Sequence, residues 1–142
     1  METKVCTKCK RELSIDEFNW RDKNKGTRRS ECKYCHTAFM KKIYDDKKEL
    51  VASIKSQLKC QKCGENKWYM LDFHHVDPNE KENNISRMTS NKYRIDQILH
   101  EIEKCIVFCS NCHREFHYFN DNYQISIDDY LGDNYDVDKL DK

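Results

Sequence analysis

The sequence has no long apolar run. No stretch reaches the roughly 20 apolar residues that cross a bilayer, so no membrane partner is expected. The opening Met1-Glu2-Thr3-Lys4-Val5 lacks the apolar core of a secretory signal. Both absences point to a reducing, intracellular setting: cytoplasmic, or the host-cell cytoplasm if the chain is virus-encoded. Apolar residues are scarce overall, at 37% of 142 residues against 36% charged. A core that thin is marginal unless a disulfide or a metal staples it. Glycine and proline, at three and one, are scarcer still, and residues 36–58 contain neither.

Cysteine is what the chain has in excess. Eight of its nine cysteines form four Cys-x-x-Cys pairs, Cys6/Cys9, Cys32/Cys35, Cys60/Cys63 and Cys109/Cys112, and Cys105 stands alone. Repeated knuckles of this kind are tetrahedral zinc ligands. Where thiols stay reduced, thiolates bind zinc rather than each other. Two structural Zn2+ ions are therefore expected, one per pair of knuckles. Cys105, followed by apolar residues, reads as a small buried thiol.

The knuckles form a quasi-repeat. Cys6-Thr7-Lys8-Cys9 leads to Cys32-Lys33-Tyr34-Cys35-His36, and Cys60-Gln61-Lys62-Cys63 leads to Cys109-Ser110-Asn111-Cys112-His113. Each half runs knuckle, intervening segment, second knuckle, helix. This is the layout of a treble-clef zinc site, whose last two ligands sit at the positive end of a helix dipole. Phe39, Ile43, Leu50, Ile54 and Leu58 recur at helical spacing and predict one long helix from about His36 to Leu58. Tyr69 to His74 alternates as a strand, Val76 to Asn79 is a turn, and Asn79 to Lys92 is a polar loop. Ile95, Ile98, Leu99 and Ile102 predict an amphipathic helix over 93–104. A short buried strand at 105–108 follows, then a helix over about 111–119 with Ser110 as its N-cap. The expected organisation is a zinc module at 1–44, a connecting helix at 45–58, a second zinc-stapled domain at 59–120 and an acidic tail at 121–142, loosely docked or poorly ordered.

Charge follows the same partition. Residues 1–50 carry 14 Lys/Arg against 9 Asp/Glu, and residues 121–142 carry 2 against 7. A basic front and an acidic tail suit a nucleic-acid binder. Arg21, Lys25, Arg28 and Arg29 lie between the first two knuckles, with Phe18 and Trp20 just ahead. Basic residues beside aromatics suit phosphate contact and base stacking.

The second half adds histidines. His74-His75 ends a predicted strand, and His113 and His117 lie four apart on a predicted helix. Such pairs share a face, with Cβ atoms about 5–6 Å apart. A strand histidine added to them makes a three-imidazole site with open positions, as a catalytic ion needs. His36 lacks such companions and reads as structural, and His100 reads as a surface residue.

Leu71-Asp72-Phe73-His74-His75-Val76-Asp77-Pro78, with Cys105-Ile106-Val107-Phe108-Cys109-Ser110-Asn111-Cys112-His113-Arg114, resembles the HNH nuclease motif in its zinc-stabilised ββα-metal form, over about residues 58–120. The resemblance implies a small zinc-stabilised α+β fold, with the ββα-metal HNH domain preceded by a treble-clef-like module and a connecting helix. It implies His74 and His113 as ligands of one catalytic divalent ion, Mg2+ or Mn2+ with Zn2+ or Ni2+ as alternatives. His117 matches a further ligand of colicin-type members, and His75 matches the general base. At the family's Asn position, nine residues before His113, this chain has Lys104, which lacks an amide's acceptor and is left to donate to a backbone carbonyl or a phosphate. Arg114, beside the metal ligand, is the leading phosphate contact of this domain. The first module resembles the zinc-ribbon segments of phage-type HNH nucleases.

The implied activity is DNA endonuclease: hydrolysis of a phosphodiester, on double-stranded DNA, leaving 5′-phosphate and 3′-hydroxyl ends. Members that cut both strands often pair, so a homodimer is compatible with the resemblance. The competing readings are a non-catalytic zinc module that binds nucleic acid and a zinc-organised adaptor for proteins.

Overall fold

A computed structural model describes residues 2–133. The part of the acidic tail at 134–142 lies outside the described residues. The chain divides at Asp46 into two compact units.

In the first unit, strands β1 (Thr3–Val5) and β2 (Glu12–Ser14) pair antiparallel around the first knuckle, and β3 (Trp20–Asp22) pairs with β4 (Thr27–Arg28). The core is small, with Cys6, Phe18 and Cys32 at its centre. Phe18 is fully buried, so the expected base-stacking role does not fit it. Helix α1 (Lys33–Ser56) begins directly after Cys32, ahead of the expected start, and its residues from Lys47 on belong to the second unit.

The two first knuckles close alike. Cys6 N–H donates to the Arg11 carbonyl and Lys10 N–H to the Cys6 carbonyl, each at 2.9 Å. Cys60 N–H donates to the Glu65 carbonyl at 2.8 Å and Gly64 N–H to the Cys60 carbonyl at 2.9 Å. The residue after the second cysteine is left-handed in both, Lys10 at φ 61° and Gly64 at φ 80°. Gly64 adopts that backbone without strain.

In the second unit, β5 (Leu71–His75) pairs antiparallel with β6 (Cys105–Cys109), placing His75 opposite Cys105 and His74 opposite Ile106. Helix α4 (Ser110–Tyr123) follows β6 directly. Its N-cap is Cys109, whose Sγ accepts from Cys112 N–H, and not Ser110 as expected. Ser110 Oγ instead donates to Asp72 and to the Met70 carbonyl. Helix α2 (Ile85–Thr89) occupies part of the expected polar loop, and its Ile85 and Met88 pack with Ile98 of α3 (Ile95–Glu103). Helix α3 is rotated from the expected stripe: Ile98 and Glu101 are buried, while Ile95 and Leu99 remain 48% and 38% exposed.

Over residues 121–133 the acidic segment is helical and docked, against the expectation of a loose tail. Helix α4 runs to Tyr123 and ends on left-handed Gln124. Helix α5 (Ile127–Leu131) is capped by Ser126, and its Tyr130 is fully buried among Phe108, Phe116 and Phe119. Among the described residues, no helix is long and apolar enough to cross a membrane. The protein is a small mixed α+β chain of short antiparallel sheets with two cysteine-rich clusters.

Candidate functional site

The eight knuckle cysteines gather as the repeat predicts. Cys6, Cys9, Cys32 and Cys35 form one cluster, and Cys60, Cys63, Cys109 and Cys112 the other, with all ligand atoms of each within 4.8 Å of one another. Zn–S bonds of ~2.3 Å space tetrahedral sulfurs about 3.8 Å apart. Cys9 and Cys32 sulfurs are 4.0 Å apart, and those of Cys63 and Cys109 are 3.6 Å apart. All these cysteines are free of disulfides. Burial works against the Cys6 thiolate, yet backbone N–H groups led by that of Cys32 hold its pKa at about 6. Burial and the neighbouring thiols push Cys35 to about 12 and also raise Cys112. Four adjacent thiolates need a cation between them. Each cluster could therefore hold a structural zinc ion. Cys105 belongs to neither cluster, and burial raises its thiol to about 11.

A third cluster joins His74, His113 and His117. His74 Nδ1 lies 3.0 Å from His113 Nε2, which lies 3.2 Å from His117 Nε2. Those atoms are positioned by two elements, β5 and α4. The opposite nitrogen of His113, Nδ1, is 3.4 Å from Asp72 Oδ2, and Ser110 Oγ donates to that carboxylate at 3.2 Å. A carboxylate on one imidazole nitrogen fixes the ring so that the other can face an ion. Burial, then the charges of His113 and His117, hold His74 down at about 4. Burial and His117 also lower His113, against the opposing pull of Asp72. Neutral rings are the ligating form. Asp72 was not among the expected site residues, although it shares a strand face with His74 by the two-residue period.

These side chains open on a cleft of about 750 Å³, walled by Lys48 and Val51 of α1, by Trp68, and by Lys81. His75 lines the same cleft although only 8% exposed. Its Nε2 is 2.7 Å from Oε1 of Glu101, a carboxylate with no exposed surface. Glu82 N–H and Asn83 N–H also donate to Oε1, and Lys104 Nζ donates to Oε2 at 2.9 Å. Burial raises the Glu101 carboxyl, but the hydrogen bonds from Lys104, His75 and the two backbone groups outweigh it and bring it to about 2. Glu101 was missed because a glutamate in an amphipathic pattern reads as solvated. Its proximity becomes visible only with the register that sets His75 beside the end of α3.

Lys104 takes the first of its two expected options. Its Nζ donates to the Glu80 carbonyl at 3.1 Å and pairs with Glu82, while its own carbonyl accepts from Val76 N–H at 3.1 Å. It thus ties down the loop that follows His75. Of the expected phosphate contacts, Arg114 and Arg21 are exposed. Lys25 is exposed and 4.0 Å from Asp22, and Arg29 pairs with Glu31. Arg28 is committed inward: it donates to the Phe18 carbonyl and Asp16, and its guanidinium stacks 3.5 Å from the Trp20 ring centre. Two of its donors are thus taken within the first unit, while its buried Nε has no partner among the described residues. His36 pairs with Glu31 and His100 lies on the surface near Glu103.

No protein-family model, curated protein or solved structure matches the chain.

Proposed function

We propose that the chain is a metal-dependent DNA endonuclease of the HNH type, with β5, β6 and α4 as its ββα-metal unit. The observation that carries this reading is the convergence of three imidazole nitrogens, from His74, His113 and His117, beside a fourth histidine in one open cleft. The donor set is all nitrogen, which suits zinc or nickel better than magnesium, an oxygen-seeking ion. When bound there, a divalent ion would withdraw charge from the scissile phosphate and the leaving 3′ oxygen.

The protein's own groups do the rest. His75 accepts a proton from the water that attacks phosphorus, a role for which imidazole is suited near neutral pH. The P–O3′ bond breaks and the 3′ oxygen takes a proton from solvent, leaving a 5′-phosphate and a 3′-hydroxyl. Lys48 and Lys81 at the cleft and Arg114 beside His113 offer cations to the flanking phosphates. Double-stranded DNA is the proposed substrate.

The test is nicking of supercoiled plasmid with each divalent ion in turn, by wild type and His75→Ala. General-base loss lowers the rate by roughly 10²–10⁴-fold, with zinc content unchanged. Equal cutting by the variant would sink the assignment of the base. A second reading has its own support, because His75 is nearly buried and Lys104 stands where the family motif has Asn. A non-catalytic nucleic-acid-binding module would show salt-sensitive DNA binding and no cleavage with any ion.

A further inference from the structure

Glu101 is the one fully buried carboxylate among the described residues, and the mechanism above leaves it without a task. Burying an ion is costly unless its partners compensate. Here the compensation is complete: Oε1 receives Glu82 N–H, Asn83 N–H and the His75 ring, and Oε2 receives Lys104. A merely structural knot would be satisfied by Lys104 and the two backbone groups. The additional partner is the ring of His75.

An ionised carboxylate can only accept hydrogen bonds. The hydrogen between Glu101 Oε1 and His75 Nε2 therefore sits on Nε2, which leaves Nδ1 with the free lone pair. Nδ1 has no hydrogen-bond partner among the described residues and is not among their buried unpartnered atoms. The small exposed part of His75 thus includes this nitrogen, and the ring lines the cleft beside His74.

We propose that Glu101 is the positioning residue for His75: its carboxylate fixes the imidazole as the Nε2–H tautomer and presents Nδ1 to the cleft as the proton acceptor. Lys104 holds Glu101 in turn, so position 104 acts on the base through the carboxylate as well as through the loop after His75. The role in hydrolysis rests on the nuclease reading, while the tautomer is a property of the folded chain alone.

The experiment uses zinc-loaded, full-length protein with ¹⁵N-labelled histidine. Two-bond proton–nitrogen correlation reads the His75 tautomer, assigned with His75→Gln. In wild type the proton is expected on Nε2. Glu101→Met removes the acceptor and keeps the bulk. It is expected to lose the fixed tautomer and to lower the nicking kcat by roughly a hundredfold or more with KM unchanged. Glu101→Gln keeps an acceptor oxygen and is expected to restore the tautomer and much of the rate. A wild-type His75 with its proton on Nδ1 overturns the proposal, and that reading needs no variant to fold. A Glu101→Met protein with unchanged tautomer and kcat overturns it as well. If no divalent ion supports nicking by wild type, the nuclease reading fails and the assignment of a base falls with it. The wild-type spectrum then decides separately whether Glu101 sets the ring.

Discussion

Tyr130 offers the sharpest test of how the second unit holds its candidate site. Its ring lies 5.4 Å from Phe116 and 5.6 Å from Phe108, centre to centre, and has no exposed surface. Its hydroxyl is 3.2 Å from the Cys112 carbonyl and 2.5 Å from Glu115 Oε2. Tyr130→Phe removes the hydroxyl alone. Glu115 is exposed and rehydrates, so the expected cost is about 1–2 kcal/mol. Tyr130→Ala also empties the ring site, for about 3–5 kcal/mol. That is a large share of the roughly 5–15 kcal/mol that domains possess. For a unit of this size each kcal/mol lowers Tm by about 4–8 °C. Urea unfolding followed by far-UV circular dichroism, with zinc at fixed excess so that metal linkage is constant, gives both values. An alanine variant within about 0.5 kcal/mol of wild type would refute the docking of α5 and restore the loose acidic tail that composition suggests.

Metal content gives a second prediction. Two zinc ions should remain bound through dialysis against weak chelators, and removal by a strong one should unfold both units, because structural zinc contributes about 10–16 kcal/mol at pH 7. Unchanged circular dichroism after complete removal would contradict a stapling role for the clusters. A third prediction concerns acid. His74 is held at about 4 by burial and by the charges of His113 and His117, below its ordinary 6.5. Between those values the unfolded chain binds a proton that the folded chain refuses, so stability falls as pH drops below 6.5. The loss is at most about 1.4 kcal/mol per pH unit. With zinc limited to the two cysteine clusters and the histidine cluster left metal-free, wild type should therefore lose stability relative to His74→Phe between pH 7.5 and 5.5, and parallel profiles would rule this out.

Short-range spacing carried most of what the sequence discloses. The Cys-x-x-Cys knuckles, the His113/His117 pair and His74 of the strand end all gather where their patterns place them. What stayed hidden depends on register and helix rotation. Glu101 looks like a surface acid until α3 turns Ile98 and Glu101 inward together. Met88 sits in a stretch whose asparagines and charges read as loop, yet burying Ile85 and Met88 against Ile98 makes a short helix worthwhile. Tyr130 was hidden by its company: acidic neighbours lower the mean hydropathy of the segment, while one ring supplies the contact that docks it. Phe18 and Arg28 mislead in the opposite direction. A small unit built around four cysteines has so few apolar residues that it spends an aromatic and an arginine on its own interior.

Helix α4 links the cysteine cluster and the histidine cluster of the second unit. Successive helical residues turn by about 100°, so Cys112 and His113 point in different directions while His113 and His117 share a face. Cys109 caps the helix and Cys112 lies in its first turn, so closing the cysteine cluster fixes the rotation of α4 about its own axis. That rotation decides whether His113 Nε2 meets His74 Nδ1 across β5. The first unit repeats the cadence with Cys35 and His36 at the start of α1, but the residue four beyond His36 is Met40, and His36 is engaged by Glu31. The two halves thus share a knuckle-and-helix scaffold. The candidate centre arises where that scaffold carries a second helical histidine and a strand that brings His74 to meet it.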